Sequence, residues 1–565
     1  MNQFLLPIIL VLYFGLLLAI AYLSSRGANS HSFFTGDKKS PWYLVAFGMI
    51  GTSLSGVTFV SVPGAVSSSA WHYYQLVLGF FTGYFVVAYV LLPLYYKYQL
   101  TSIYRYLELR LGLHAYQWGA AYFILSRTLG ATVRLYLVIN VLQLFVFEPI
   151  GIQFWQSTLL IVLMILAYTL KGGVKTIVWT DTLQTFFMLL ALVVCILTLQ
   201  HQMDLSWGQL WQNLQHEGLT EIGAWNPSKK DYFFKHFIGG AFITIAMTGL
   251  DQEMMQKNIS VKTLKDAQKN MVVFSFTLLL VNALFLFLGS ILSYYALQNG
   301  LKFAPDDLFP QIIQNYLPSG VFIVFIIGLI SALFPSVDGA ITALTASFCI
   351  DIIGFERNKL PEEERVRVKR IVHISFALLF TLLVFLFKWY NDKSIVDLIF
   401  LIASYTYGPL LGLFAFGILT KRMAPSWAIP LVVTAAPVCC YLLSINADLI
   451  WQGYEFGNEV LLINGLLTFV LLYLSSYTFS IKNLDETSVE ASRFYILILG
   501  YLQDMVQSID FITNSSFLHV NNNHKQLKFN QIRDLKSVEL HVLELFKNIE
   551  GVFESKKFKN ILGRS

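Results

Sequence analysis

Charged residues are scarce in this 565-residue chain: they fill 13% of positions, where a soluble domain carries roughly 25%. With 56% of the residues hydrophobic, so few charges cannot clothe a water-soluble fold of this size. Cytosolic enzymes, disordered scaffolds and nucleic-acid binders are set aside on that ground. Cysteine is scarcer still. Cys195, Cys349, Cys439 and Cys440 all lie in apolar stretches, with no spacing that suits a disulfide framework or a zinc site. Of ten histidines only His373 borders an apolar run closely, and neither an H-E-x-x-H motif nor a nucleophile–base spacing occurs. The chain is read as a non-enzyme.

Long apolar runs are what it has. A bilayer core about 30 Å thick needs about 20 apolar residues per helix, and the chain offers thirteen such runs: 5–23, 41–68, 74–96, 117–146, 152–170, 178–200, 233–252, 270–296, 320–350, 371–389, 395–419, 425–446 and 459–480. The fold class is therefore an all-α, polytopic membrane protein spanning the lipid bilayer of the cell membrane. The first run has no basic leader and no A-x-A cleavage site, so it is expected to remain as a span. Lys and Arg gather in the loops after the odd-numbered runs, at 24–40, 97–112, 171–175, 253–270, 355–370 and 420–424, which hold 20 of them. The opposite loops hold only Lys229, Lys230, Lys302 and Lys393. Positive residues stay cytoplasmic, which places the N-terminus outside and the C-terminus in the cytoplasm.

Residues 1–480 form the expected membrane domain. From Leu484 to Ser565 the composition turns mixed-charge and helix-periodic, with amphipathic stretches at 486–515 and 526–555 around the polar break Asn521-Asn522-Asn523-His524. Ten acidic and ten basic residues cancel there, so the segment is not a polybasic lipid-binding tail. It is expected to be a small cytoplasmic helical hairpin that regulates or docks a cytoplasmic partner. Its His519-to-Lys525 segment loosely resembles the PhoU-like helices attached to bacterial sodium/phosphate cotransporters, and His519 with His524 is a candidate metal pair.

Two runs contain polar breaks. Between Gly48 and Thr58 lie Gly48, Gly51 and Gly56 with Thr52, Ser53, Ser55 and Thr58. Such a segment either unwinds and frees backbone carbonyls at mid-membrane depth, oxygen ligands of the kind a hard cation takes, or merely lets helices pack closely. The ninth run holds Ser331-Ala332-Leu333-Phe334-Pro335-Ser336-Val337-Asp338-Gly339. Pro335 has no N–H for the Ser331 carbonyl, and Asp338 is an intramembrane carboxylate, or a counter-charge to a basic partner.

These segments, with Val62-Pro63-Gly64-Ala65-Val66, Trp179-Thr180-Asp181-Thr182 and the small-residue ninth run ending at Asp351, resemble the sodium:solute symporter family over roughly residues 5–480. The resemblance implies the leucine-transporter fold, two inverted repeats of five helices with broken first helices, and sodium as coupling ion. The seventh run should then carry the symmetry-related break, at Gly239-Gly240 or Thr248-Gly249. Carried over, the sodium site comprises the Gly51, Leu54 and Ala332 carbonyls with Pro335 and Ser336. Pro335 lacks the hydroxyl that the pattern expects there; the freed Ser331 carbonyl or a water would fill the gap. Some relatives bind a second cation with the sixth-run aspartate, here Asp181, together with ninth-run hydroxyls, here replaced by Asp338 and Gly339. Asp181 and Asp338 are thus a second cation site, with Asp338 as a stronger ligand or as a proton carrier if burial raises its pKa, or structural counter-charges.

Arg127 and Arg134 lie seven residues apart on one face of the fourth run. Each guanidinium must meet an anion, a carbonyl cluster or water; the anion is either a solute carboxylate or Asp181 or Asp338. Ser53, Ser55, Thr58 and Gln75 complete the candidate solute contacts. Trp71, Tyr73 and Tyr74 are an outer vestibule or an interfacial belt, and Asp251 is a gate residue or a solvated helix end. The function expected is import of a small polar organic solute with sodium by alternating access. The alternative is a membrane sensor of the same fold that signals through the 484–565 hairpin.

Overall fold

The computed structural model describes residues 5–24, 38–358, 360–390, 395–447 and 453–482. Lipid offers the backbone no hydrogen-bond partners, so apolar runs of this length close their bonds internally as helices. The spans are α1 (Leu5–Ser24), α2 (Trp42–Ser69), α3 (His72–Lys97), α4 (Leu113–Ile150), α5 (Phe154–Leu170), α6 (Thr176–Gln202), the bent pair α7 (Phe233–Gly249) and α8 (Gln252–Ile259), α9 (Leu264–Gln298), α10 (Ser319–Ile352), α11 (Glu362–Trp389), α12 (Leu398–Leu419), α13 (Ala428–Ile445) and α14 (Glu459–Tyr477). Eleven of these are long and apolar enough to cross a membrane alone; the α7/α8 pair makes a twelfth, and α5 is shorter. Each of the thirteen expected runs thus coincides with a helix or a bent pair. The helix that carries α5 and α6 runs through Phe154–Gln202, and it is interrupted only at Gly173, whose φ of 57° suits a residue without a side chain.

Two compact units divide the chain, Met1–Ser480 and Ile481–Ser565. The expected tail hairpin and its histidine pair lie outside the described residues.

Burial grades the helices by role. The apolar stretch of α2 is 89% buried and those of α4 and α10 are 72% buried, against 28% for α1 and 33% for α11 and α13. The first three are therefore central, and the outer ones turn residues such as Val11, Leu12, Leu378, Leu382 and Val438 toward lipid. α2 packs on α9 and α10, α3 on α7, and α4 on α12. Close crossings need small residues. A side chain at Gly240 of α7 would strike the Leu76 carbonyl and come within 3.2 Å of Gly79 Cα in α3. One turn beyond the α2 break, buried Phe59 anchors the centre, its ring centroid 5.8 Å from Phe285, 5.4 Å from Phe309 and 5.7 Å from Phe325.

Outside the spans, the loop before α7 is tied to the loop before α14. Glu455 N–H donates to the Ser228 carbonyl at 2.7 Å, and Lys229 donates to the Glu455 carboxylate. That bond holds the Glu455 carboxyl below the usual carboxylate range.

Candidate functional site

The two helix breaks face one cavity. In α2, Ser55 has φ 45° and ψ 171°, torsions no α-helix accommodates. A side chain in this left-handed region is strained and persists only where packing enforces it; Ser55 is buried. The turn before it runs from Gly51 to Leu54. The second break follows the π turn Ile245–Gly249, after which α8 leaves α7 at 64°.

The two breaks are finished differently. At the second, the freed carbonyls are capped by protein: Tyr95 Oη donates to Gly249 O at 2.7 Å and Tyr104 Oη to Leu250 O at 2.9 Å. Asp251 caps α8 by accepting from Met254 N–H at 3.2 Å. At the first, no side-chain donor among the described residues reaches the carbonyls of Gly51 or Leu54. Both carbonyls belong to buried residues.

Across from them stands α10. A side chain added at Gly51 would lie 3.6 Å from the Pro335 ring. Ala332 and Ser336 are fully buried, and Ser336 Oγ donates to Leu333 O at 2.8 Å. That bond uses the Ser336 proton and leaves the oxygen lone pairs free. The Ser331 hydroxyl is engaged by Tyr13 of α1 at 2.6 Å. The donor set here is all oxygen and uncharged, which suits a hard monovalent cation.

The cavity itself measures about 110 Å³. Thr52, Ser53, Ser55 and Thr58 of α2 line it, with Tyr73 and Tyr84 of α3, Arg127 and Arg134 of α4, Thr244 and Thr248 of α7, and Ile399 and Phe400. All the sequence-selected solute contacts meet there except Gln75, which is buried but does not line it. Of the three aromatics, Tyr73 lines the cavity, while Trp71 is held by Ser290 at 2.8 Å.

The two arginines part company. Arg127 is ion-paired to Glu253 and lies 4.0 Å from Asp251, and Tyr407 Oη holds Asp251 at 2.7 Å. Its anions come from the α7/α8 bend rather than from Asp181 or Asp338. Arg134, nine-tenths buried, has no hydrogen-bond or ion-pair partner among the described residues. Asp251 is fully buried, so the reading of a solvated helix end does not hold.

Lys257, counted by its sequence context among cytoplasmic loop cations, is a core residue. Its Nζ donates to Asp181 Oδ2 and to Thr52 Oγ1, both at 2.7 Å, and lies 3.4 Å from Glu253 Oε1. Asp338 sits apart, accepting from Tyr168 Oη at 2.7 Å. Glu253 and Lys257 were missed because the sequence from Glu253 onward reads as a polar loop. The one local signal is their i,i+4 spacing with Glu first, the favourable order for an ion pair on a helix. His373 is buried between Thr169 at 2.9 Å and Thr345 at 3.0 Å, a packing role joining α11 to α5 and α10.

A family model described as the sodium:solute symporter family matches residues 33–431. The chain is 23% identical over 465 residues to the sodium/sialic acid symporter SiaT of Proteus mirabilis, which covers 80% of this chain and 92% of that protein. It is 24% identical over 413 residues to the human sodium-coupled monocarboxylate transporter 1, covering 71% of this chain and 66% of that protein. Among solved structures, the substrate-bound, outward-open form of a Na+-coupled sialic acid symporter superposes with a TM-score of 0.73 at 21% identity, over 83% of this chain and 97% of that one. At that identity the likeness speaks for the fold, which is of the leucine-transporter type. In that fold, α2 and the α7/α8 pair are the broken first helices of the two repeats.

Proposed function

The chain belongs to the sodium:solute symporter family, and from that premise we propose that it imports a small carboxylate-bearing solute together with sodium, the carboxylate docking on Arg134. A multi-pass, sodium-coupled symporter is the common ground of its relatives; the solute class is the step taken here. One observation carries it. Arg134 is a charged group, nine-tenths buried, that lines the cavity with no hydrogen-bond or ion-pair partner among the described residues, Glu253 and Asp251 acting on it only from a distance. A buried unpaired cation is costly, and a guanidinium fork matches a carboxylate bidentately. Two relatives are named for sialic acid and for monocarboxylates, both carboxylate solutes, which supports the same reading. Thr58, Ser53 and Ser55 beside it offer hydroxyls to the rest of the solute.

Sodium binds, in this reading, to the carbonyls of Gly51, Leu54 and Ala332 and the hydroxyl of Ser336, with Pro335 in the place of a second hydroxyl. Thr52, Ser53 and Ser55 belong both to the broken turn and to the cavity wall, so an ion that fixes the turn also shapes the solute site. That is a structural basis for coupling in an alternating-access cycle. The loop charges orient the chain with its N-terminus outside and its C-terminus in the cytoplasm.

The test is uptake into proteoliposomes of acidic sugars, monocarboxylates, neutral sugars and amino acids under sodium or potassium gradients. Sodium-driven uptake confined to carboxylates is expected; a neutral solute as the transported species would overturn the assignment. Ser336→Ala should raise the half-saturating sodium concentration about tenfold, since losing one polar ligand is worth about 1–1.5 kcal/mol. Pro335→Ser, which restores a hydroxyl, should lower it. Unchanged sodium titrations in both variants would remove the ion from this place.

A further inference from the structure

We infer that the Lys257 ammonium is a resident cation filling a second ion cage, formed by Asp181, Glu253 and Thr52, so that the cage takes no inorganic ion until the lysine is removed. The inference deepens the reading above, because it sets how many sodium ions accompany the solute.

The cage is complete and internal. The side chains of Lys257, Asp181 and Glu253 are 4%, 1% and 2% exposed. Three oxygens from three different helices converge on Nζ: Asp181 Oδ2 from α6 and Thr52 Oγ1 from α2, each at 2.7 Å, and Glu253 Oε1 from α8 at 3.4 Å. Thr52 also donates to Asp181 Oδ2 at 3.1 Å, so the hydroxyl and the carboxylate are held together as a unit. Oxygen ligands from separate elements, two of them carboxylates, form the kind of set that binds a hard cation. The ammonium supplies the same single positive charge on a tether.

Two further observations bear on this arrangement. Asp181 Oδ1 is buried without a hydrogen-bond partner, an unused ligand of the kind an ion with more coordination sites than an ammonium would take. And Gly339 of α10 faces the Glu253 carboxylate so closely that any side chain there would collide with it. The absent side chain is the space that Glu253 occupies, and Glu253 in turn joins Lys257 to Arg127.

The consequence is a charge balance. With Lys257 in place, one sodium and one monocarboxylate cross together and move no net charge, so a membrane potential adds nothing to the driving force. A second sodium would add about 2.3 kcal/mol per 100 mV.

The test counts sodium ions on the purified full-length protein without solute, by binding of radioactive sodium. Wild type should bind one ion per chain. Lys257→Met, which keeps most of the stem's volume, and Lys257→Ala should each bind one more than wild type, and adding Asp181→Asn to either should return the count to the wild-type value. Thermal unfolding of both single variants should shift upward with sodium by more than that of wild type, as binding to the folded state requires. Two ions on wild type, or no gain in a folded Lys257 variant, would overturn the inference. Wild type binding none while Lys257→Met binds one would overturn the Gly51–Ser336 site instead and support the cage. Uptake gives an independent readout: for a monocarboxylate, wild-type transport should be insensitive to an imposed potential, and sensitivity there would count against the lysine as a fixed charge.

Discussion

Arg134→Ala is expected to reduce uptake of a carboxylate solute through a rise in KM of about two to four orders of magnitude. Removing one partner of a buried ion pair costs about 3–5 kcal/mol because the other charge is left unpaired, and each 1.4 kcal/mol is about tenfold in affinity. Arg134→Lys keeps the charge but loses the planar fork, so it should fall between the two. The fold should respond in the opposite sense. Because Arg134 meets no anion among the described residues, the solute-free alanine variant should melt at or above the wild-type temperature. A purely structural arginine would behave the other way, losing stability first and uptake only as a result. Wild-type KM in Arg134→Ala with a lowered melting temperature would therefore discard Arg134 as the solute anchor.

Arg127 shows why sequence alone left the two arginines equivalent. Both sit on one helix face in the same apolar run, and what separates them is a tertiary fact: the 64° bend between α7 and α8 swings Asp251 and Glu253 toward the first and leaves the second to the cavity. The spans themselves were legible because apolar length is a local property, and so was the α2 break, where glycine and hydroxyl residues crowd together. The second break lies at Thr248-Gly249, one of the two places the pattern allowed. Gly239 and Gly240 belong to close crossings instead, with Asn458 near Gly239 and Leu76 and Gly79 near Gly240.

Lys257 was illegible for a related reason. All eight residues of α8 are buried, yet its sequence, Gln-Glu-Met-Met-Gln-Lys-Asn-Ile, reads as a solvated cytoplasmic segment and enters the loop-charge comparison as one. A polar helix folded back into a membrane bundle leaves no periodic apolar trace. Its signature lies in partners distant in sequence, Asp181, Thr52 and Arg127, together with a glycine at 339 that no local rule demands. Without Lys257, those loops still hold 19 positive residues against four opposite.

Glu253→Ala should be among the most damaging single substitutions in the membrane domain. The Glu253 carboxylate lies between two buried cations, Arg127 on one oxygen and Lys257 on the other, whose side chains are 5% and 4% exposed. Without it, the bonded partners left among the described residues are Asp251 at 4.0 Å for Arg127 and Asp181 and Thr52 for Lys257. Breaking a buried network from its centre costs about 3–5 kcal/mol, on the order of a 3–5 °C fall in melting temperature for a chain of this length, measured by thermal unfolding of the purified protein. Arg127→Ala combined with Glu253→Ala should cost less than the sum of the two single changes, because the second substitution removes a charge the first has already orphaned. Gly339→Ala probes the same carboxylate from α10: its new methyl displaces Glu253 and should destabilise the wild-type background more than the Glu253→Ala background, where the space is already vacated. A Glu253→Ala protein melting at the wild-type temperature would show that Glu253 does not hold the two cations together.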